Sequence, residues 1–138
     1  MMDRDAHDDE QIRQILSLKK VAVVGMSKNE EKAANYVPKY LLSNGYEIIP
    51  VNPTAENILN KKCYPNLTDI AESVDIVDVF RPSDQVMHVI LDAIKLKPKV
   101  IWLQEGIHNE EAESLARKAG IDVVFNRCML AEHQRLCK

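Results

Sequence analysis

The stretch VAVVGMSKNE, residues 21–30, begins with four apolar residues that run into Gly25, as strands of nucleotide-binding proteins do. A dinucleotide-binding turn would place two more glycines within the next five positions. The chain has Ser27 and Lys28 there instead, and Lys32 follows. This stretch is therefore either a loop that contacts phosphate with side chains as well as backbone, or an ordinary loop with solvated lysines.

The stretch VFRPSDQV, residues 79–86, carries the most informative combination of side chains. Pro82 fixes the backbone at the start of a helix, and Ser83 is able to cap that helix. Arg81 adds a positive charge beside backbone N–H groups at the helix N-terminus. The pattern predicts an anion site. The alternative is a well-capped helix whose Arg81 is only solvated, because Asp84 would stabilise the first turn equally well.

A third stretch, Val51-Asn52-Pro53, ends an apolar run without an acidic residue. Nicotinamide-binding proteins usually place Asp or Glu there, about 20 residues past the glycine turn, to bind the ribose hydroxyls. A neutral end suits a ribose that bears a phosphate, because a carboxylate would repel the phosphate at close range. Coenzyme A (CoA) carries such a ribose phosphate.

The apolar runs that precede these residues alternate with amphipathic helical segments. They predict strands at 21–24, 48–51, 76–80, 100–103 and 123–125. Strands that are apolar along most of their length are buried on both faces of a parallel sheet. We predict an α/β fold, a three-layer doubly wound Rossmann-like domain with a five-stranded parallel sheet, in which ligands bind outside the carboxyl ends of the strands.

Finer features of the elements follow from local residue types. Asn35 is a candidate N-cap and Pro38 suits a first helical turn, so a helix is expected to begin near Tyr36. The segment between residues 51 and 75 predicts a loop, a short extended piece at residues 63–64 and a turn or helix from residue 66. A single domain of residues 1–138 is expected. Residues 1–9 are expected to be mobile, and a short helix that packs against the domain is expected to follow them.

Composition narrows the class of protein. The chain has 138 residues, with 46% hydrophobic and 28% charged residues, which is typical of a globular protein. Its net charge of −3 and the absence of a basic cluster argue against nucleic acid as a partner. The acidic N-terminus and the strand-sized apolar runs predict a cytoplasmic protein without a membrane partner. Three cysteines without a CxxC pair are expected to be reduced.

Two long stretches, VDIVDVFRPSDQVMHVILDAI and VIWLQEGIHNEEAESLARKAGIDVVFNRC, together with NGYEIIPVNP, resemble the small CoA-binding domain proteins. These are single-domain relatives of the N-terminal domain of the succinyl-CoA synthetase alpha subunit, and the resemblance extends from about Ile12 onward. It implies that CoA or a short acyl-CoA lies across the strand ends. By position, the resemblance implies phosphate contacts from Gly25, Ser27 and Lys28, a border to the adenosine from Val51, Asn52 and Pro53, and flanking contacts from Phe80, Arg81, Pro82 and Ser83. Gln104, Glu105 and Gly106 match the TEG-like turn of the synthetase, with Gln in place of Thr, and are carried over as further binding residues.

The chain departs from the synthetase in its first loop, which lacks the glycine-rich run. It also shows no phosphohistidine segment, Ser-His-Asp arrangement or carboxylate pair, so we expect ligand binding without catalysis and assign no catalytic residue. An NAD(P)-binding oxidoreductase-like domain and a regulatory protein-interaction module with a vestigial nucleotide pocket are the alternatives. The small molecule is the expected partner, and the sequence leaves room for a homo-oligomer.

The remaining reactive side chains form no convincing site. The four histidines lack metal-ligand spacing, so no metal site is predicted. Cys128 follows the last predicted strand, and Arg127 beside it would favour the thiolate. The same cysteine also suits a packing position, because cysteine behaves as a small hydrophobe. We expect the packing role.

Overall fold

The computed structural model describes residues 4–137. In chain order the elements are α1 (Asp9–Leu16), β1 (Lys20–Val24), α2 (Ala33–Ser43), β2 (Glu47–Val51), β3 (Asn57–Ile58), β4 (Lys61–Lys62), β5 (Ile76–Val79), α3 (Val86–Leu96), β6 (Val100–Leu103), α4 (Glu110–Lys118), β7 (Asp122–Val124) and α5 (Met129–Leu136). Short 3₁₀ turns span Leu67–Asp69 and Ser83–Gln85. No helix among the described residues is both long enough and apolar enough to cross a membrane.

Five parallel strands form the main sheet in the order β2-β1-β5-β6-β7. The direction of winding reverses at β1, whose neighbours are β2 on one side and β5 on the other. The last residues of these three strands, Val24, Val51 and Val79, lie side by side. The Rossmann-like α/β fold predicted from the sequence is confirmed, and the reversal places a crevice for ligands at these three strand ends.

Helices cover both faces of the sheet, because the strands are apolar on both faces. One apolar layer contains residues of α3 and α4, among them Ile90 and Ala116. The other layer contains residues of α1, α2 and α5, among them Ile12, Leu41 and Met129. All of these side chains are fully buried.

Asp78 is an exception to the apolar strand interiors. It pairs in register with Val23 and Trp102, and its carboxyl is fully buried with no hydrogen-bond partner among the described residues. Burial raises the pKa of Asp78 well above its ordinary value, because the charged form is desolvated. Burial thus favours the neutral carboxyl, the form that costs least in this position.

Helix α2 begins earlier than the sequence predicts. It starts at Ala33, so Asn35 lies inside the helix and does not cap it, and Pro38 lies beyond the first turn. Pro38 has no N–H to donate to the carbonyl of Ala34 four residues before it. That carbonyl instead accepts a hydrogen bond from Ser27 N, at 3.1 Å. A contact with the preceding loop thus replaces the missing helical bond.

The segment after β2 folds as a hairpin, β3 and β4, followed by an extended piece. Tyr64 forms a parallel bridge with Val51, and Asn52 N donates to Tyr64 O at 2.9 Å. The expected extended piece at residues 63–64 and the turn from residue 66 are therefore confirmed. The hairpin itself was not predicted, because its turn uses Leu59 and Asn60 at positive φ where glycine would be the usual signal.

The N-terminal segment contacts the domain through specific side chains, and the mobility expected of residues 1–9 stays a prediction. The side chain of Asp5 is only 3% exposed and is paired with Arg127. Asp8 caps α1 by accepting a hydrogen bond from Gln11 N, which satisfies a free N–H of the first turn. The composition of this acidic segment did not indicate a buried partner for Asp5. Residues 1–3, which the same expectation covered, lie outside the described residues.

Candidate ligand-binding cleft

Four loops follow strands of the main sheet: the first (25–32) follows β1, the second (52–56) follows β2, the third (80–85) follows β5 and the fourth (104–109) follows β6. Gly25 lies where the first three converge. Its φ is +84°, and its N–H donates to Val51 O at 3.0 Å. A Cβ atom at this position would lie 3.1 Å from Phe80 O and 3.4 Å from Cδ of Arg81. Glycine is needed for the backbone conformation and for this close approach.

The rest of the first loop is held by hydrogen bonds of Ser27 to Asn29 and to the first turn of α2. Ser27 O accepts from Nδ2 of the buried Asn35 at 2.7 Å, and Ser27 Oγ accepts from Asn29 N at 3.0 Å. Together with the bond from Ser27 N to Ala34 O, these contacts fix the loop against the start of α2. Lys28 and Lys32 are exposed and form no ion pair among residues 4–137, so their charges are available to a ligand.

Asn52 ties the second loop to the first. Its Nδ2 donates to Met26 O at 2.9 Å, while its Oδ1 accepts from Thr54 N at 2.8 Å and Ala55 N at 3.1 Å. The neutral residue at the end of β2 therefore supports the loops around the crevice, a role that the sequence prediction did not assign to it.

Two neighbouring cavities lie at these strand ends. The larger has a volume of ≈ 550 Å³ and is lined by Gly25, Met26, Ser27, Lys28, Lys32, Ala34, Asn52, Pro53, Thr54, Ala55, Phe80 and Arg81. The smaller has a volume of ≈ 150 Å³ and is lined by Val24, Val51, Pro53, Pro65, Asn66, Leu67, Arg81, His88, Val89 and Asp92. Pro53 and Arg81 line both cavities, and we call the pair the cleft. Three cationic side chains and no carboxylate line the larger cavity.

The structure brings eight of the thirteen predicted ligand contacts to this cleft. They are Gly25, Ser27, Lys28, Val51, Asn52, Pro53, Phe80 and Arg81. The other five, Pro82, Ser83, Gln104, Glu105 and Gly106, do not line either cavity. Their contact with a ligand stays a prediction.

Ser83 does not cap α3 as the sequence predicted. Helix α3 starts at Val86, after the 3₁₀ turn, and Gln85 takes its N-cap position without a side-chain bond. Ser83 Oγ instead accepts from His108 N at 3.1 Å, and Ser83 O accepts from Nδ2 of Asn109 at 3.2 Å. These bonds join the third strand-end loop to the fourth.

The fourth loop is hydrogen-bonded to the start of helix α5. The buried Gln104 accepts a bond from Met129 N, the first residue of α5, at 3.3 Å through Oε1. Gly106 N donates to Oδ1 of Asn126 at 2.7 Å, while Glu105 is exposed. Gln104 thus satisfies an N–H of the first turn of α5, which is a structural role.

Several residues of the cleft were missed by the sequence prediction. Thr54 and Ala55 follow Pro53 directly, so the predicted strand-end position could have found them. Leu67 and Asn66 reach the smaller cavity from the irregular segment before β5, and no local pattern indicates that contact. His88 borders the smaller cavity from helix α3, with its side chain 85% exposed.

Other reactive side chains lie away from the cleft. Cys128 is half-buried at the start of α5, and the guanidinium of Arg127 beside it is engaged by Asp5 and Glu132. His108 stacks on Phe125 at 4.0 Å, and its Nδ1 lies 2.6 Å from Oε2 of Glu113, an acidic partner that the sequence did not indicate. Residues 4–137 contain no group of three or more metal-ligating side chains.

Comparison with known proteins agrees with this architecture. The family model described as CoA binding domain matches residues 19–134. Uncharacterized protein YneT of Bacillus subtilis is 37% identical over 124 residues, which cover 89% of this chain and 92% of that protein. The structure described as a hypothetical protein from Pyrococcus horikoshii OT3 superposes with a TM-score of 0.94 at 43% identity and covers 100% of both chains.

A larger relative places the same domain in an enzyme. Acetate–CoA ligase [ADP-forming] II of Archaeoglobus fulgidus is 33% identical over 124 residues, which cover 81% of this chain but only 18% of the ligase. The chain thus corresponds to a small part of that enzyme. The match across residues 19–134 and the shared fold establish that the chain belongs to the CoA-binding domain family.

Proposed function

We propose that the chain binds CoA or a short acyl-CoA in the cleft, without catalysis of its own. The observation that carries the proposal is the larger cavity, which lies at the reversal point of the sheet and is lined by three cations and no carboxylate. Membership of the CoA-binding domain family supports the same ligand class.

The phosphate groups of the ligand would contact the cationic side of the larger cavity. Lys28 and Lys32 are exposed and flexible, whereas Arg81 is half-buried and offers a planar fork of donors. Gly25 lines the same cavity, and its missing Cβ allows the first loop to lie close to Phe80 and Arg81, which brings the three cations around one space. Charge-assisted hydrogen bonds from these side chains would supply most of the affinity for the phosphates.

The adenosine part would border the smaller cavity. Val51, Pro53, Leu67 and Val89 give this cavity apolar walls that suit the faces of an aromatic base. Arg81 and Pro53 line both cavities, so a ligand that fills both would pass between them. Without a carboxylate at the end of β2, the protein would tolerate a phosphate on the ribose.

Calorimetric titration of the chain with CoA, NAD and ATP tests this proposal. We expect CoA to bind most tightly, and native mass spectrometry of freshly purified protein to show a retained mass of CoA. Tighter binding of NAD would support an oxidoreductase-like domain instead. Failure to bind any of the three nucleotides would support the regulatory module with a vestigial pocket. Incubation with acetyl-CoA should leave the thioester intact when followed by mass spectrometry.

A further inference from the structure

A second strongly charged site lies at the edge strand β7, away from the cleft. Arg127 follows this strand, and its side chain is only 4% exposed. Its backbone carbonyl accepts a hydrogen bond from Nε1 of the buried Trp102 at 2.8 Å, which fixes the residue against the sheet. Its Nη1 lies 3.4 Å from Oε2 of Glu132. The remaining donors of the guanidinium face the N-terminal segment.

The carboxylate of Asp5 occupies the position in front of that guanidinium. Arg127 donates to it as a fork, from Nε to Oδ2 at 3.1 Å and from Nη2 to Oδ1 at 3.0 Å. Phe125 N donates to Oδ2 at 2.9 Å, and His7 Nδ1 contacts Oδ1 at 2.5 Å. The bidentate arginine and the backbone N–H thus bind both oxygens of the carboxylate from the sheet side, and His7 of the same segment adds a third contact.

The balance of forces on Asp5 agrees with a receptor for the charged form. Burial by itself raises the pKa of Asp5, but hydrogen bonds from His7 and Arg127 outweigh it and hold the pKa well below its ordinary value. The receptor thus favours an ionised carboxylate over a protonated one. Phe125 follows the last residue of the edge strand β7, so its N–H has no partner in the sheet. The carboxylate of Asp5 accepts a hydrogen bond from this N–H.

The segment that carries this carboxylate is short, and most of its contacts with the sheet come from Asp5 and His7. Residues 4–8 precede α1, and Arg4, Ala6 and Asp8 among them are exposed. Apart from Asp5, the segment is fixed by His7, whose Nε2 contacts Asp122 at 2.8 Å and whose carbonyl accepts from Arg127, and by an ion pair of the exposed Arg4 with Glu132 at 3.8 Å. A cavity of ≈ 450 Å³ lies beside the segment and is lined by it together with Arg117, Val123 and Phe125. The receptor is built into the sheet edge, whereas its occupant belongs to a short terminal segment.

We propose that Arg127 and Phe125 N form a carboxylate-binding site whose resident ligand is the chain's own Asp5, and that an acidic peptide carrying the same Asp-x-His arrangement is able to take its place. The arginine fork and the backbone N–H bind the carboxylate of the peptide. Asp122 binds the histidine two residues after it. This function is independent of ligand binding in the cleft.

Rescue of the full-length variant Asp5→Ala by acetate tests the site. Removing one partner of a buried ion pair should lower the melting temperature by about 10 °C or more. Sodium acetate should raise that melting temperature in a saturable manner, because a ligand that binds only the folded state stabilises it. Sodium chloride at equal ionic strength should not. If Asp5→Ala fails to stay folded in chloride, the yield of refolded protein with and without acetate gives the same comparison.

Asp8→Ala is the matched control, because it removes an exposed carboxylate that only caps α1. Acetate should have no effect on Asp8→Ala beyond that of chloride. Equal melting temperatures of Asp5→Ala in acetate and chloride would overturn the proposal. An equal response of Asp8→Ala to acetate would also overturn it, because the effect would then be a general one of the salt.

The peptide part of the proposal is tested on the same variant with the peptide Arg-Asp-Ala-His-Asp, which copies residues 4–8. It should bind Asp5→Ala by calorimetry and compete with acetate, whereas the peptide with Asn in place of its first Asp should bind at least about tenfold more weakly. Rescue by acetate without binding of the first peptide would contradict exchange with a peptide. Equal binding of both peptides would show that the carboxylate is not recognised.

Discussion

Arg81 and Arg127 both lie beyond the carboxyl ends of strands of the same sheet, yet their surroundings are opposite. Arg81 is half-buried, lines both cavities of the cleft and has no ion pair or hydrogen bond among the described residues. Arg127 is buried and is neutralised by Asp5 and Glu132. A strand-end arginine is therefore available to an external ligand only where the fold supplies no counter-charge.

The difference originates far away in the sequence. The partner of Arg127 comes from the N-terminal segment, 122 residues earlier in the chain. The loops around Arg81 contribute lysines, glycine and proline, but no carboxylate to the larger cavity. Substitutions at the two arginines should therefore have opposite consequences, one for stability and the other for ligand binding.

The largest effect is expected for Arg127→Ala. This change removes the bidentate partner of the buried Asp5, which keeps only His7, while Glu132 keeps its ion pair with Arg135, so the free energy of unfolding should fall by about 3–5 kcal/mol. Arg81→Ala should change the free energy of unfolding by no more than about 0.5 kcal/mol, because its loss leaves no buried carboxylate without a partner. Urea denaturation measures both. A similar loss in the two variants would show that the arginines do not differ in the way described.

The second effect concerns affinity for CoA. Arg81→Ala should weaken binding by about 1.5–3 kcal/mol through the loss of a charge-assisted hydrogen bond to phosphate. The difference between the variant and the parent should shrink as salt is added, because exposed charges are screened. Lys118→Ala, on the exposed end of α4, is the control and should retain the parental affinity. Unchanged affinity in Arg81→Ala would make Arg81 a solvated residue of the rim.

A third effect distinguishes the cost of a positive φ from the steric clash of a new side chain at two glycines. Gly25→Ala and Gly45→Ala both place a side chain at positive φ, which costs about 1–2 kcal/mol of stability. Only at Gly25 does the new Cβ meet neighbouring backbone, since nothing lies within 4 Å of the position at Gly45. Calorimetry should show weaker CoA binding for Gly25→Ala alone. Equal affinities in the two variants would contradict the close approach of loops at Gly25.

The smallest effect is a pH dependence that belongs to the Arg127 region. The hydrogen bond to Asp5 raises the pKa of His7 above its ordinary value of 6.5, burial opposes this, and the contact with Asp122 adds to it. The stabilisation from His7 is therefore complete below pH 6.5 and is lost as pH rises through the folded-state pKa.

Thermal unfolding between pH 6 and 9 should consequently show a steeper loss of stability in the parent than in His7→Gln. Asp78 contributes in the same direction in both proteins, because its raised pKa also removes stability as pH rises above 3.8. The difference between the two curves isolates His7. Parallel curves would mean that His7 does not hold the N-terminal segment through its charge.

The sequence predicted the scaffold well, because buried parallel strands produce continuous apolar runs. Each predicted strand agrees with the structure within one residue at its ends. Errors arose where a residue has more than one use. Pro38 was placed in a first helical turn, yet it lies deeper because the loop supplies a substitute bond. Ser83 was assigned to a cap, yet it bonds the fourth loop.

The candidate site was predictable only in part, for a physical reason. Residues that immediately follow strands, such as Gly25, Asn52 and Arg81, must lie at one edge of a parallel sheet. Gln104 also follows a strand, but its side chain bonds the first turn of α5 and does not line the cleft. Position after a strand does not by itself distinguish a residue that lines the cleft from one that bonds a helix. Contacts such as those of Leu67 and Asp5 depend on tertiary packing of irregular segments, which leaves no periodic signal.

The substitution of a loop contact for a helical bond at Pro38 has a consequence for motion. Because Ser27 N donates to Ala34 O, the amide proton of Ser27 is protected by the first turn of α2. In hydrogen exchange it should open together with that helix, as part of one cooperative unit. A ligand that meets this loop therefore finds it already ordered, and little conformational entropy is lost when phosphate is bound.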